Sequence, residues 1–119
     1  MSVNQRIIQA LEGLGPVFPD VYTGPETTYF TFNYTTRGAL FADDAPGYDV
    51  HMVQVHLFCP LGFDSVELRK NARLALYEAG FTWPDVVNAA DGSMEKNDAD
   101  KQHFVFECEI EEGVRHGTI

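Results

Sequence analysis

The chain has 119 residues, 45% of them hydrophobic, enough for one domain with its own core and too few for two. Its formal net charge is −10, from 18 Asp and Glu against 8 Lys and Arg, which repels a phosphate backbone and excludes a duplex-binding surface built on clustered cations. No run approaches the roughly 18 apolar residues of a membrane-spanning helix. The N-terminal stretch lacks the basic flank and apolar run of a secretory leader, so the chain reads as made and kept in a cytoplasm, with no membrane partner.

Ser2 followed by Gln5 is a capping-box pattern, and Ile7, Ile8, Leu11 and Leu14 form one apolar stripe, predicting a first helix from about Val3 to about Glu12. Gly13, Gly15, Pro16 and Pro19 end it and impose an extended path into Val21 and Tyr22, expected as a short edge strand. From Thr28 to Thr35 β-formers alternate, with Phe30, Phe32 and Tyr34 on one face and Tyr29, Thr31, Asn33 and Thr35 on the other. Arg37 to Gly47, which contains Asp43 and Asp44, reads as a mobile acidic loop. Val50 to Cys59 is the clearest strand: Val53, Val55, Leu57 and Cys59 face the core, and Met52, Gln54, His56 and Phe58 face away.

A Pro-Leu-Gly turn at 60–62 leads to a second helix with both ends written out. Asp64 is expected to cap it, Glu67 to close a capping box, and Phe63 to staple onto Leu68. Gly80 stops it and lets Phe81 fold back on Leu76. Its buried stripe is Leu68, Ala72, Ala75, Leu76 and Ala79, while Arg69, Lys70 and Arg73 are expected on a solvated face beside Glu67 and Glu78. After Trp83-Pro84 come a strand or turn around Asp85 to Ala89 and a polar, mobile run from Asp91 to Asp100; the whole of Pro84 to Lys101 is expected to order only against neighbours. The last strand, about Gln102 to Glu111, points Phe104, Phe106, Cys108 and Ile110 inward and Val105, Glu107, Glu109 and Glu111 outward. The expectation is an α+β fold, a mainly antiparallel sheet of four to five strands with two helices packed on one face, in one domain over 1–112 with a flexible tail over 113–119.

Chemistry is sparse. There is no phosphate-cradling glycine loop, nucleophile elbow or Cys-x-x-Cys pair. Cys59 and Cys108 fall at core positions, where a free thiol behaves as a small hydrophobe. His51 and His56 point to opposite faces of one strand, roughly 16 Å apart, so they cannot share a metal within it. His103 is placed to approach Cys59 or Cys108 across the sheet, yet a zinc ion there would lack ligands, and satisfied or partly exposed histidines are favoured. Asp98, Asp100 and Gln102 sit in an EF-hand frame, but His103 stands where the calcium loop turns on Gly, which excludes it. Asp43 and Asp44 suit an acidic turn better than a cation site. No catalytic, cofactor-binding or metal-ligating residue is assigned. The outer face carries Tyr29, Met52, Phe58 and Val105, with Trp83 near it; either the segment from Phe81 to Lys101 folds over it or it is a subunit interface.

The succession Tyr29-Phe30-Thr31-Phe32-Asn33-Tyr34, then Phe41-Ala42-Asp43-Asp44, Val53 to Phe58, and Leu68-Arg69 through Leu76 to Ala79-Gly80-Phe81 resembles small tail proteins of tailed phages and prophages, of the tail-completion or tail-terminator type. The resemblance runs from about Ile7 to Ile110 and rests on pattern and order. Trp83-Pro84 and the tail after Gly113 depart from it. It implies a virion protein of the tail or neck, made in the bacterial host cytoplasm, forming a ring of copies of itself, usually sixfold. Such a ring caps the tail tube protein, meets a head-completion or connector protein, and lets DNA pass without specific binding. The family has no catalytic residues to carry over. Asp43, Asp44, Met52, Phe58, Trp83, Glu107, Glu109 and Glu111 are the candidate interface or channel positions. The alternatives are a small acidic inhibitor or DNA mimic, another neck or head–tail joining protein, and, least favoured, a small metal-dependent enzyme.

Overall fold

In the computed structural model the described residues are 1–42, 45–89 and 100–113, with side chains described for these except at 40–46. The elements follow as α1 (Val3–Leu11), β1 (Val17–Pro19), β2 (Tyr29–Ala42), β3 (Ala45–Pro60), α2 (Val66–Glu78), β4 (Asp85–Asn88) and β5 (Lys101–Gly113). The five strands form one sheet in the order β1-β2-β3-β5-β4, with β1 parallel to β2 and every other pairing antiparallel. This is an α+β fold with a mixed, mostly antiparallel sheet.

Period 2 decides what each strand buries. Phe30 and Phe32 of β2, Val53, Val55, Leu57 and Cys59 of β3, and Phe104, Phe106 and Cys108 of β5 share the face that packs on Ile7 and Leu11 of α1 and Ala72 and Leu76 of α2. The helices, with 9 and 13 residues, are roughly 14 and 20 Å long. β2 and β3, with 14 and 16 residues, reach roughly 46 to 53 Å, so both run on past the helices.

The helix ends differ in chemistry. At α1 the capping box is complete: Gln5 N–H donates to Ser2 Oγ at 3.1 Å and Ser2 N–H to Gln5 Oε1 at 2.9 Å. At α2 the expected box does not form, because the backbone turns one residue later. Ser65 occupies the N-cap position without a side-chain cap bond, and Asp64 Oδ1 instead accepts the Val66 N–H at 3.2 Å. Phe63 stays 44% exposed, so it adds little as a staple. The C-terminus of α2 closes as expected. Gly80 takes φ 106°, Phe81 N–H donates to Leu76 C=O at 3.2 Å and Gly80 N–H to Tyr77 C=O at 3.1 Å, and Phe81 buries beside Leu76.

Four boundaries depart from the sequence reading. The edge strand is Val17–Pro19, not Val21-Tyr22, since Asp20 takes φ 63° and turns the chain off the sheet. Residues Arg37 to Ala42 and Ala45 to Gly47 are not loop but strand, paired through Ala42 and Ala45. Pro46 is tolerated there because β3 has only β2 beside it at that point, β5 pairing beginning at Tyr48. Asp43 and Asp44 lie outside the described residues, as does the polar run over 90–99. Asp85–Asn88 is a true strand on β5, so Pro84 to Lys101 is not wholly loop, and β5 itself includes Gly113. The tail over 114–119 is outside the described residues.

Candidate functional site

Register lays the outer face of the sheet out in cross-strand rungs. Tyr29, Phe58 and His103 form one; Thr31, His56, Val105 and Val87 the next; then Asn33, Gln54, Glu107 and Asp85; then Thr35, Met52 and Glu109; and last Arg37, Val50 and Glu111. The first two rungs hold the rings of Tyr29, Phe58, His103 and His56, and the last three hold the acids, with Met52 and the buried Val50 among them, so the face divides into two ends.

The aromatic end is a stacked ladder. Phe18 and Tyr22 stack at 4.0 Å, Tyr22 meets Tyr29 at 4.8 Å, Tyr29 stacks on Phe58 at 5.1 Å, and Phe58 on His103 at 4.3 Å. Lys101 Nζ lies 5.6 Å from the Phe58 ring centre. His56 Nδ1 and His103 Nε2 share a hydrogen bond of 2.8 Å, and Asn33 Nδ2 reaches His56 Nε2 at 3.3 Å. His103 thus faces His56, not Cys59 or Cys108, because its register opposite Phe58 puts it on the outer face. Tyr22 closes this end, and Gly24 is needed beneath it: a Cβ there would collide with the Tyr22 ring. The apolar outer residues are therefore covered in part, but by the segment after β1. Phe81 to Ala89 instead runs alongside β5 in the sheet plane, with Thr82 N–H donating to Glu109 C=O at 2.8 Å and Ala89 N–H to His103 C=O at 2.8 Å.

The acidic end is open. A shallow depression of about 500 Å³ has Met52 and Thr35 in its lining, Asn33 and Gln54 at one side, and Asp85, Glu107 and Glu109 at the other. Asp85 sits directly opposite Glu107 in the ladder, an unfavourable register for two like charges. Gln54 Nε2 donates to Glu107 Oε2 at a long 3.4 Å. Glu107, Glu109 and Glu111 are exposed and step along β5 at roughly 7 Å intervals. Among the described residues the one ion pair joins His51 Nε2 to Glu112 Oε1 at 2.8 Å, so none of these outer carboxylates has a cationic partner there.

Trp83 lies at the rim of this depression, but its ring turns to the helix side. It meets Tyr77 edge-on at 5.3 Å, with the Arg73 guanidinium 4.8 Å from its centre. Arg73 Nε donates to Pro84 C=O at 2.6 Å; Arg69 Nε donates to Ser65 Oγ at 3.0 Å and its guanidinium covers the Phe104 ring at 4.2 Å. These two arginines are half-buried, not the freely solvated face their spacing suggested, because planar guanidinium groups stack on the rings beneath them. Lys70 remains exposed.

On the helix side, His51 is buried and holds the strands together where the helices stop. Its Nδ1 meets Thr36 Oγ1 at 2.7 Å and its Nε2 meets Glu112. Burial pushes the Cys108 thiol up to about 12, helped by the neighbouring Glu109 charge, and pushes Cys59 up against the opposing effects of Ser65 and Arg69. Neither thiol is poised as a nucleophile. No group of three or more His, Cys, Asp or Glu among the described residues is arranged to hold a metal.

Compared with known families and with curated proteins, the chain matches no family model and no curated sequence. Met52, Phe58, Glu107 and Glu109 do share the outer face, as the alternation of their strands required. Trp83 does not join Phe58: its ring turns to Tyr77 and Arg73 of α2, while Phe58 stacks between Tyr29 and His103. The His56–His103 contact was not readable, since it depends on which residues of β3 and β5 stand opposite each other.

Proposed function

We propose that this chain is a structural subunit of a phage or prophage tail, of the tail-completion or tail-terminator type. It assembles with copies of itself as a ring at the head-proximal end of the tail tube and joins tail to head. On this reading it is no enzyme and takes no cofactor; its partners are itself, the tail tube protein and a head-completion or connector protein. It acts in the virion after synthesis in the host cytoplasm. The observation that carries the reading is the open acidic end of the sheet, which sets Met52 among carboxylates without cationic partners and is left uncovered by the described chain. A free-standing acidic inhibitor or DNA mimic would need its acids and little else. Instead, seven of the nine large exposed hydrophobic residues among those described fall between Leu61 and Val87, a concentration that suits an assembling subunit.

The chain's overall charge also suits a channel. With six copies the formal charge is about −60, six times −10, and a wall of that sign repels passing DNA without holding it. No measurable duplex binding is expected at low salt; micromolar affinity weakening with added salt would oppose the channel reading. The direct test is immunogold labelling of particles made by a strain carrying the gene. Label at the head–tail junction is expected, and particles free of the protein would overturn the proposal.

A further inference from the structure

We propose that the outward stripe of α2 docks into the acidic depression on the sheet of the next copy, which names the two surfaces of the ring contact and rests on the ring reading above. α2 already buries Ala72 and Leu76 against the sheet. On its opposite side Val66, Lys70, Leu74 and Tyr77 follow at helical spacing, with Val66 55%, Leu74 44% and Tyr77 54% exposed. Three exposed apolar side chains with one lysine among them on a single stripe suit a partner's surface.

The depression supplies what this stripe lacks. It offers Met52 to the apolar residues and presents Asp85, Glu107 and Glu109 to a cation. Lys70 is exposed in the middle of the stripe, and Arg73 flanks it. Seating Lys70 beside Asp85 and Glu107, which stand opposite each other in the ladder, gives a cation to carboxylates that have no ion-pair partner among the described residues of the single chain. The two surfaces are different, one on the helix layer and one on the bare face of the sheet, with Trp83 bordering both. A contact between unlike surfaces is head-to-tail, and such contacts close into rings when the rotation per copy allows.

The test is sedimentation analysis of the purified full chain at low and high salt. Wild type is expected to associate at low salt and to dissociate as salt rises. Lys70→Glu and Glu107→Lys are each expected to weaken association by about tenfold or more, because each places like charges across the contact. An equimolar mixture of the two variants is expected to associate again, since the acid introduced on the helix of one variant then meets the lysine introduced on the sheet of the other. Leu74→Asp tests the apolar stripe at an exposed position, and thermal melts establish that every variant is folded. Association of either charge variant at wild-type strength, or no recovery in the mixture, overturns the proposed contact. So does a wild-type chain that stays monomeric up to about 0.5 mM. None of these results moves the immunogold labelling, which judges the tail assignment separately.

Discussion

On the helix-covered side of the sheet Phe30, Phe32, Val55, Leu57 and Phe106 are at most 1% exposed, whereas on the other side of the same strands Asn33, Gln54 and Glu107 line one rung of an open, solvated face. One backbone serves both faces, so the difference lies only in alternate side chains. The covered face holds the fold through apolar burial; the acidic end of the bare face buries Val50 but leaves Asn33, Gln54, Glu107 and Glu109 to solvent, and sets Asp85 opposite Glu107. Retaining such a pair on a solvated surface makes sense where a partner's cation completes it. On the proposed reading, stability and assembly are separated by the period of a strand, and substitutions should sort by face.

The largest effect is expected from Leu76→Ala, which opens a cavity under α2 and should cost about 2–5 kcal/mol in urea unfolding. A loss below about 1 kcal/mol would mean that the helix side is not the stabilising one. Phe58→Ala should cost less, about 1–3 kcal/mol, because the ring is half-buried between Tyr29 and His103. Asp64→Ala should cost about 0.5 kcal/mol and Ser2→Ala about 1 kcal/mol, since only Ser2 completes a capping box.

Alkaline pH separates the faces without mutation. The Cys108 pKa is raised in the folded state from 9.0 to about 12, so above pH 9 the unfolded chain loses a proton that the folded chain keeps. Stability from this group is therefore complete below about pH 9 and falls as pH rises towards 12. Cys108→Ala should flatten that decline in melting temperature. The smallest effect belongs to Glu107→Gln, expected to leave monomer stability unchanged or raised by up to about 0.5 kcal/mol through relief of the Asp85 contact. A clear destabilisation would show that the acidic end already serves the fold.

Much of the covered face was legible in the sequence. Ser2 with Gln5, Gly80 with Phe81, and the alternation through Val53 to Cys59 and Phe104 to Cys108 are local signals, and each set its element correctly. The misreadings came where a local signal competed with a distant partner. Pro46 looks like a loop residue until Phe41 of β2 pairs with it, and His103 looks like a neighbour of the cysteines until its place opposite Phe58 turns it outward. The acids of the outer face were legible as a row on β5. Their meeting with Asp85 was not, because it depends on the register of a four-residue strand.

Carboxyl footprinting of the wild-type chain as its concentration rises at low salt tests most directly whether the bare face is where copies meet. Asp85, Glu107 and Glu109 are expected to lose reactivity as association proceeds, while the exposed Glu12 and Glu26, away from the contact, keep theirs. Associated protein in which Asp85, Glu107 and Glu109 label as readily as in the monomer would contradict the account.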